Sequence, residues 1–460
     1  MTERTAAATG SDVTTRVAEK IAYGMGDVAC NVVFALTSGL VVYFYTNVMQ
    51  IPAGLVGGIL LVSRILDGIS DVAIGVVMDR VNSRLGKGRA WVLWMAVPYA
   101  VTAVALFCVP ANAILPVQGL YIFITYNLCT TVVYTALNLP YAAMAPLLTS
   151  NRRDLAVINI CRMALSPIGS MAVSAATLPL IRYMGGDQAA WIKVTAIYAV
   201  ISLALLLWCF LGTKARVSTA AARKAEKLPL RIRFSAIAHN RYFYILLLAS
   251  CFLSLYQTIS GTCGTYYAQY VLGNSEWYGA LQIAENLPQI VTILLLPVLL
   301  RFGKRNLVLA GALLAIAANL MLAVMPDNST MALASCVLRG VGKAPFFGFI
   351  FTMTADVVNY GHWKTGIRVE SMIFSSKTAG QKFGGGVAGW LVGCLMDDSG
   401  FTGLAQEIPS AVEMVKGLYI YGNILAWAAI AVLIWLYRLD REYDGIMEEL
   451  KRRGQLTETD

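Results

Sequence analysis

Two carboxylates, Asp67 and Asp71, stand four residues apart inside an apolar stretch running from about Ala53 to Val77, with Arg64 one turn before them. Positions 64, 67 and 71 recur at i, i+3 and i+7, so an α-helix stacks all three on one face. The stretch is long enough to cross a bilayer. A charged side chain at mid-membrane is costly, and such residues face a protein interior or a water-filled path. Paired acids in that setting can hold a proton or a small cation, whose gradient can then drive a second solute. The triplet points to ion-coupled transport.

Other apolar stretches carry polar residues on one helical face. Asp27 and Asn31 are four apart, and Asn127, Thr131, Tyr134 and Asn138 form a stripe with Thr135 beside it. Asn159, Arg162, Ser166 and Ser170 make a third stripe, and Ser371, Ser375, Thr378 and Lys382 a fourth. Steps of three and four keep each set on one side of its helix. Hydroxyls, amides, a tyrosine and two cations suit a polyhydroxylated solute, although single Ser, Thr and Asn residues also join membrane helices to one another. Asp27 lies near the start of its stretch and has two readings, a substrate contact or a local ion pair. A different task suits the charges at the cytoplasmic ends of two stretches, Asp79, Arg80 and Arg84 after the second and Asp356, Arg368 and Glu370 after the tenth: latching one conformation of a gate.

These residues need a scaffold, and the composition says which. The chain of 460 residues is 58% hydrophobic and 13% charged, with mean hydropathy +0.64. A soluble chain carries roughly twice that charged fraction. The net charge of +10 does not mark a nucleic-acid binder, because Lys and Arg concentrate in alternate loops, the positive-inside pattern. Those loops hold Arg80, Arg84, Lys87 and Arg89, then Arg152 and Arg153, then Arg301, Lys304 and Arg305, then Lys364 and Arg368. Nine cysteines sit singly, without metal-ligand spacing. No nucleophile–base pair or phosphate loop stands out, so an enzyme is not expected.

Twelve spans are expected, beginning near Ile21, Ala53, Ala90, Pro116, Leu155, Ala190, Tyr242, Trp277, Asn306, Met331, Glu370 and Val415. Both termini then face the cytoplasm. The expected layout is a tail over 1–20, a six-helix bundle over 21–213, a basic linker over 214–241, a second bundle over 242–438 and a tail over 439–460. The halves echo each other: Arg84-Leu85-Gly86-Lys87 returns 217 residues later as Arg301-Phe302-Gly303-Lys304, and Arg162 is answered by Lys382 at an offset of 220. A duplicated six-helix unit with its site between the halves is the architecture of major facilitator transporters. The fold class expected is thus an all-α polytopic membrane protein.

The runs Lys20-Ile-Ala-Tyr23-Gly24-x-Gly26-Asp27, Arg64-Ile-Leu-Asp67-Gly-Ile-Ser-Asp71 and Tyr134-Thr135-x-x-Asn138-x-Pro140-Tyr141 resemble the glycoside–pentoside–hexuronide:cation symporters. So do Ser83-Arg84-x-Gly86-Lys87 and Ala355-Asp356-x-x-Asn359-Tyr360-Gly361 through Gly366, Arg368 and Glu370. This is the family of the melibiose permease and the glucuronide carrier, and the likeness extends from about Lys20 to Arg441. It implies that Asp67 and Asp71 hold the coupling cation, with Thr135 near it and Ser70 where the melibiose permease has an asparagine ligand. It also implies sugar-site roles for Asn31, Tyr134, Asn138 and Arg162, a bridging role for Lys382, and cavity positions for Phe347 and Thr378.

The departures bear on the substrate. Two sugar-binding aspartates of the melibiose permease are amides here, Asn31 and Asn138, and its stacking tryptophan corresponds to Ala142. With Arg162 and Lys382 retained, the cavity becomes more positive, which favours an anionic sugar such as a hexuronide. Neutral glycosides or pentosides are the alternative, and a lysolipid or other amphiphile on the same fold is a further one. Close carboxylates readily share a proton, and a serine hydroxyl is a poorer Na⁺ ligand than an amide carbonyl, so H⁺ is preferred to Na⁺. The expectation is therefore a cation-coupled sugar importer without a cofactor, acting as a monomer in the bacterial cytoplasmic membrane.

Overall fold

A backbone in lipid must satisfy its own hydrogen bonds, and helices do so within one segment. The structure, a computed structural model, describes residues 15–80, 87–149, 152–214, 235–367, 369–403 and 408–453. Among them there is no strand. Twelve long helices follow one another: α1 Val17–Val48, α2 Ala53–Arg80, α3 Lys87–Ala105, α4 Leu115–Ala142, α5 Arg152–Tyr183 and α6 Gln188–Gly212, then α7 Arg241–Val271, α8 Trp277–Phe302, α9 Lys304–Val324, α10 Ser329–Thr365, α11 Glu370–Asp398 and α12 Pro409–Leu436. Among the described residues, nine of these are long and apolar enough to cross a membrane. The other three, α2, α3 and α11, are those that carry Arg64, Asp67 and Asp71, then Lys87 and Arg89, then Lys377 and Lys382. A final amphipathic helix, α13 Leu439–Arg452, buries Leu439, Ile446 and Leu450 and packs along the inner end of α10.

Within the first six helices α1 packs on α5 and α6, and α3 on α4 and α6; within the second six, α10 packs on α8 and α9, and α7 on α11 and α12. Two seams, α2 against α11 and α5 against α8, join the sets, together with a crossing of α1 on α7. A shift of six helices turns one seam into the other, as a duplicated unit requires. Most of the expected 214–241 linker lies outside the described residues.

Small residues set how closely the seams approach. A Cβ on Gly393 of α11 would stand 2.5 Å from the Ala53 carbonyl of α2, and one on Gly39 of α1 2.6 Å from the Gly261 carbonyl of α7. Backbones meet at these points because no side chain intervenes.

The halves are tied at the end remote from the termini. Thr46 and Tyr266 share a hydrogen bond of 2.7 Å, Tyr43 donates to Gln269, Asn47 donates to Tyr270, and Arg182 pairs with Glu276 at 2.9 Å. The Gly54 amide also donates to Asp397 at 2.6 Å. One apolar core runs from the first half through Tyr266, Tyr267, Tyr278 and Tyr419 of the second. Several of these contacts fall in or beside π-helical stretches, Phe44–Val48 in α1 and Tyr267–Val271 in α7. The wider turns re-aim side chains there, a frequent device at functional positions.

Near the termini, the polar contacts of the described residues join neighbours within one half. Asp154 accepts from the Thr15 amide and hydroxyl, both at 2.6 Å, and pairs with Lys20; the Lys214 amide donates to Glu19 at 3.0 Å. In the second half Lys304 binds Asp356, and the Arg305 amide donates to Asp440 at 2.8 Å.

Candidate functional site

The α2 face predicted from spacing points at α11 and α4. Lys382 of α11 places its Nζ 2.6 Å from Asp71 Oδ2 and 3.6 Å from Asp67 Oδ2. Arg64 Nη1 lies 3.4 Å from the same Asp67 oxygen. Thr135 of α4 donates to Asp71 Oδ1 at 3.2 Å. Two acids, two cations and a hydroxyl thus converge, and the formal charge of the group cancels. Asp67 is 3% exposed, and its Oδ1 is buried without a hydrogen-bond partner. A buried carboxylate oxygen with free lone pairs is a place for a proton or a small cation. Ser70 donates to the Thr131 carbonyl at 2.7 Å, and no bond joins it to either acid among the described residues.

A second cluster lies where α1 meets α5. Asn31 donates to Ser166 Oγ at 2.7 Å and accepts from Ser170 at 3.2 Å, while its amide also reaches the Asp27 carbonyl at 2.9 Å. Arg162 Nε stands 3.7 Å from Asp27 Oδ2, a loose approach, and its guanidinium carbon lies 5.7 Å from the centre of the Tyr141 ring. Tyr141 stacks on Tyr23 at 4.7 Å. Asp27 thus faces Arg162 across the contact of α1 with α5. Tyr134 sits on α4 one residue before Thr135, its ring 6.1 Å from that of Tyr99. Asn138, one turn further along α4, is a half-buried amide with no hydrogen bond among the described residues.

Other predicted residues are placed apart from these clusters. Thr378 is exposed and returns its hydroxyl to the Phe374 carbonyl at 3.1 Å. Phe347 is half-buried against the inner apolar core of the second half. Asp356 is engaged by Lys304 of its own half. Arg84 and Arg368 lie outside the described residues, as do the side chains of Asp79, Arg80 and Glu370.

The second half holds an ionic cluster that sequence reading passed over. Glu285 of α8 is flanked by Lys343 at 2.7 Å and Arg339 at 3.3 Å, both from α10, and accepts from Tyr256 of α7 at 2.6 Å. The internal repeat was the available signal: Glu285 follows Asp67 by 218 residues, close to the offset relating the two halves elsewhere. Lys377 of α11 was missed too; it is 4% exposed, with its ammonium 4.3 Å from the centre of the Phe351 ring.

Comparison with known proteins shows the family. Residues 22–441 match the family described as MFS/sugar transport protein. An isoprimeverose transporter of Lactiplantibacillus pentosus is 28% identical over 95% of this chain and 91% of its own length. A putative 2,3-dihydroxypropane-1-sulfonate exporter of Salmonella typhimurium is 27% identical over 95% of this chain and 96% of its own. Among solved structures, a D-xylose–proton symporter superposes with a TM-score of 0.64 at 13% identity, covering 91% of this chain and 97% of that one. A bacterial homologue of the lysosomal transporter Spinster reaches 0.67 at 13% identity, covering 94% and 97%. At such identity these structures speak for the fold alone, and the fold is that of a transporter. With a family match spanning nearly the whole chain, this multi-pass membrane protein belongs to the MFS/sugar transport family and is a carrier, not an enzyme.

Proposed function

We propose that the protein is a sugar:cation symporter in which the coupling ion, H⁺ in preference to Na⁺, binds at Asp67 and Asp71. The observation that carries this reading is Lys382, whose ammonium lies against Asp71 and near Asp67. A lysine ammonium is a protein-borne monovalent cation, and it occupies the position that a coupling ion would take. An incoming ion must compete with it, and a displaced Lys382 becomes free to meet the sugar held around Asn31, Tyr134, Asn138 and Arg162. Binding of ion and sugar then favour each other by the same factor.

Once both are bound, the six-helix units on either side of residues 214–241 rock about the seams. The closed outer end supports a cytoplasm-facing state, with both termini cytoplasmic, in the inner membrane of a bacterium. A potential of 100 mV adds about 2.3 kcal/mol per inward charge, which suits accumulation. The loose Asp27–Arg162 contact leaves a guanidinium that fits a carboxylate or sulfonate in two-pronged fashion. An anionic sugar is therefore the substrate class preferred, and the sulfonate in one relative's name accords with it. A neutral glycoside is the second reading, favoured by the name of the isoprimeverose transporter.

Uptake by proteoliposomes of a charged and uncharged sugar panel, under separate H⁺ and Na⁺ gradients, tests the proposal. Asp71→Asn is expected to abolish gradient-driven accumulation while leaving sugar exchange at equal concentrations. Unchanged accumulation in that variant overturns the cation assignment, and accumulation that ignores pH but tracks Na⁺ reverses the choice of ion.

A further inference from the structure

The cluster around Glu285 has an imbalance. Among the described residues, two cations, Arg339 and Lys343, share one carboxylate. Arg339 is fully buried and held as well by Tyr419, by Asn319 at 3.4 Å and by Cys336 at 2.9 Å, and its Nε has no partner. Lys343 is less committed. Beyond Glu285 it reaches, among the described residues, the side-chain amide oxygen of Asn286, at 3.2 Å, and its side chain keeps 8% exposure. One positive charge in excess inside a helix bundle is costly unless an anion shares the space.

The depth of the cluster follows from the α5–α8 seam, where a Cβ on Gly279 would touch Ala175 at 2.5 Å. The two helices run in opposite directions, since α5 ends and α8 begins at the outer end. Six residues inward from Gly279 lies Glu285, and six inward from Ala175 lies Gly169, between Ser166 and Ser170. Those serines hold Asn31. Tyr278, Gln282, Glu285 and Gln289 recur at steps of four, three and four, and the outermost of them places its hydroxyl 3.3 Å from a Cβ built on Gly39, where α1 crosses α7. The polar face of α8 thus begins at the contact between halves and continues inward at the level of the α1–α5 cluster.

We propose that Lys343, with Asn286 beside it, is the second-half subsite for the acidic group of the substrate, a carboxylate or sulfonate. Glu285 is its resident counterion, and the substrate's anion replaces that carboxylate at the ammonium. Arg339 stays in place as the charge that holds Glu285 when Lys343 lets go. This assignment rests on the sugar-carrier reading and adds to it a residue that discriminates charged from neutral sugars.

The test measures uptake of methyl glucuronide, sulfoquinovose and methyl glucoside by wild-type protein and the variants Lys343→Gln, Lys343→Arg and Asn286→Ala in proteoliposomes. Lys343→Gln is expected to raise KM for the anionic sugars at least tenfold and that for methyl glucoside less than twofold. Lys343→Arg should stay within threefold of wild type for all three, and Asn286→Ala should weaken the anions alone, by about threefold. A preference for one anion over the other tells carboxylate from sulfonate. If Lys343→Gln cannot be purified folded, the other two variants carry the comparison. Equal loss for charged and neutral sugars in Lys343→Gln or Asn286→Ala overturns the subsite and leaves a structural cluster. Wild-type protein that accumulates only the glucoside overturns the subsite but keeps the carrier, whereas protein that accumulates no sugar overturns both.

Discussion

Lys382 on α11 and Asp71 on α2, separated by 311 residues, meet at 2.6 Å, so each half of the protein supplies one charge of a single ion pair. The pair lies on a seam, where it links the state of the carboxylates to the relative position of the halves. A seam ion pair that an external cation can replace is a coupling device. In the proposed cycle it holds the halves together when no ion is bound and releases a positive side chain when one is.

Removing the ammonium should therefore separate ion binding from sugar binding. Lys382→Ala is expected to tighten the coupling ion about tenfold, roughly 1.4 kcal/mol, because its competitor is gone. The same variant should weaken anionic-sugar uptake. Titrating ion-dependent protection of an engineered cysteine at the cluster reads the first effect, and uptake reads the second. A variant that loses ion affinity instead makes Lys382 a structural tie only.

Asn31 offers a charge test in the first half. Its amide bridges Ser166 and Ser170 and donates to the Asp27 carbonyl; an aspartate there can accept from both hydroxyls and loses the third bond. The added negative charge faces the region of Arg162 and Asp27. Asn31→Asp is expected to reduce anionic-sugar uptake at least fivefold, about 1 kcal/mol, with little change for a neutral glycoside. Competition between the two sugars in one assay gives the comparison directly.

Much of the first-half site was legible because charge inside lipid is costly and helical spacing fixes its direction. Arg64, Asp67 and Asp71 are read as one face from three numbers, and the structure puts that face against α11 and α4. What it meets there was not readable from spacing, since the partner is hundreds of residues away. The Glu285 cluster escaped for a different reason. Its acid stands among Gln282, Asn286 and Gln289, which blur it into an ordinary polar turn, and its cations belong to another helix. The π-helical stretches were equally hidden, because the residues of Phe44–Val48 and Tyr267–Val271 would serve an α-helix as well. Their wider turns lie where α1 and α7 make tertiary contact, and such contact is not encoded in local propensity.

The α2–α11 seam makes a steric prediction. Gly393→Val would drive a Cβ to within 2.5 Å of the Ala53 carbonyl, and the neighbouring Gly57 offers no side chain that could yield. Backbone must then move, a cost of about 1–3 kcal/mol for an overpacked contact. Membrane insertion should be retained, but the outer end should open more often and transport should fall at least tenfold. Alkylation of a cysteine introduced at Tyr270 checks this, with faster labelling expected in the Gly393→Val background.

The segment before α1 is pinned by a group that titrates. Burial pushes the Asp154 carboxyl up, but hydrogen bonds from Lys20 and from the Thr15 hydroxyl and amide outweigh it, lowering the pKa from 3.8 to about 2. A carboxyl whose folded pKa is depressed adds stability above its unfolded value and loses it as pH falls through the folded one. The Thr15–Lys20–Asp154 anchor is therefore fully formed above pH ~4 and lost as pH falls toward ~2. Asp154→Asn is expected to lower stability near neutral pH by about 1.5–3 kcal/mol, the range for hydrogen bonds to a charged group. Thermal unfolding in detergent should show a lower Tm for the variant at pH 6, converging with wild type as pH drops from 4 to 2. Parallel curves across that window would assign the pH response to other carboxylates.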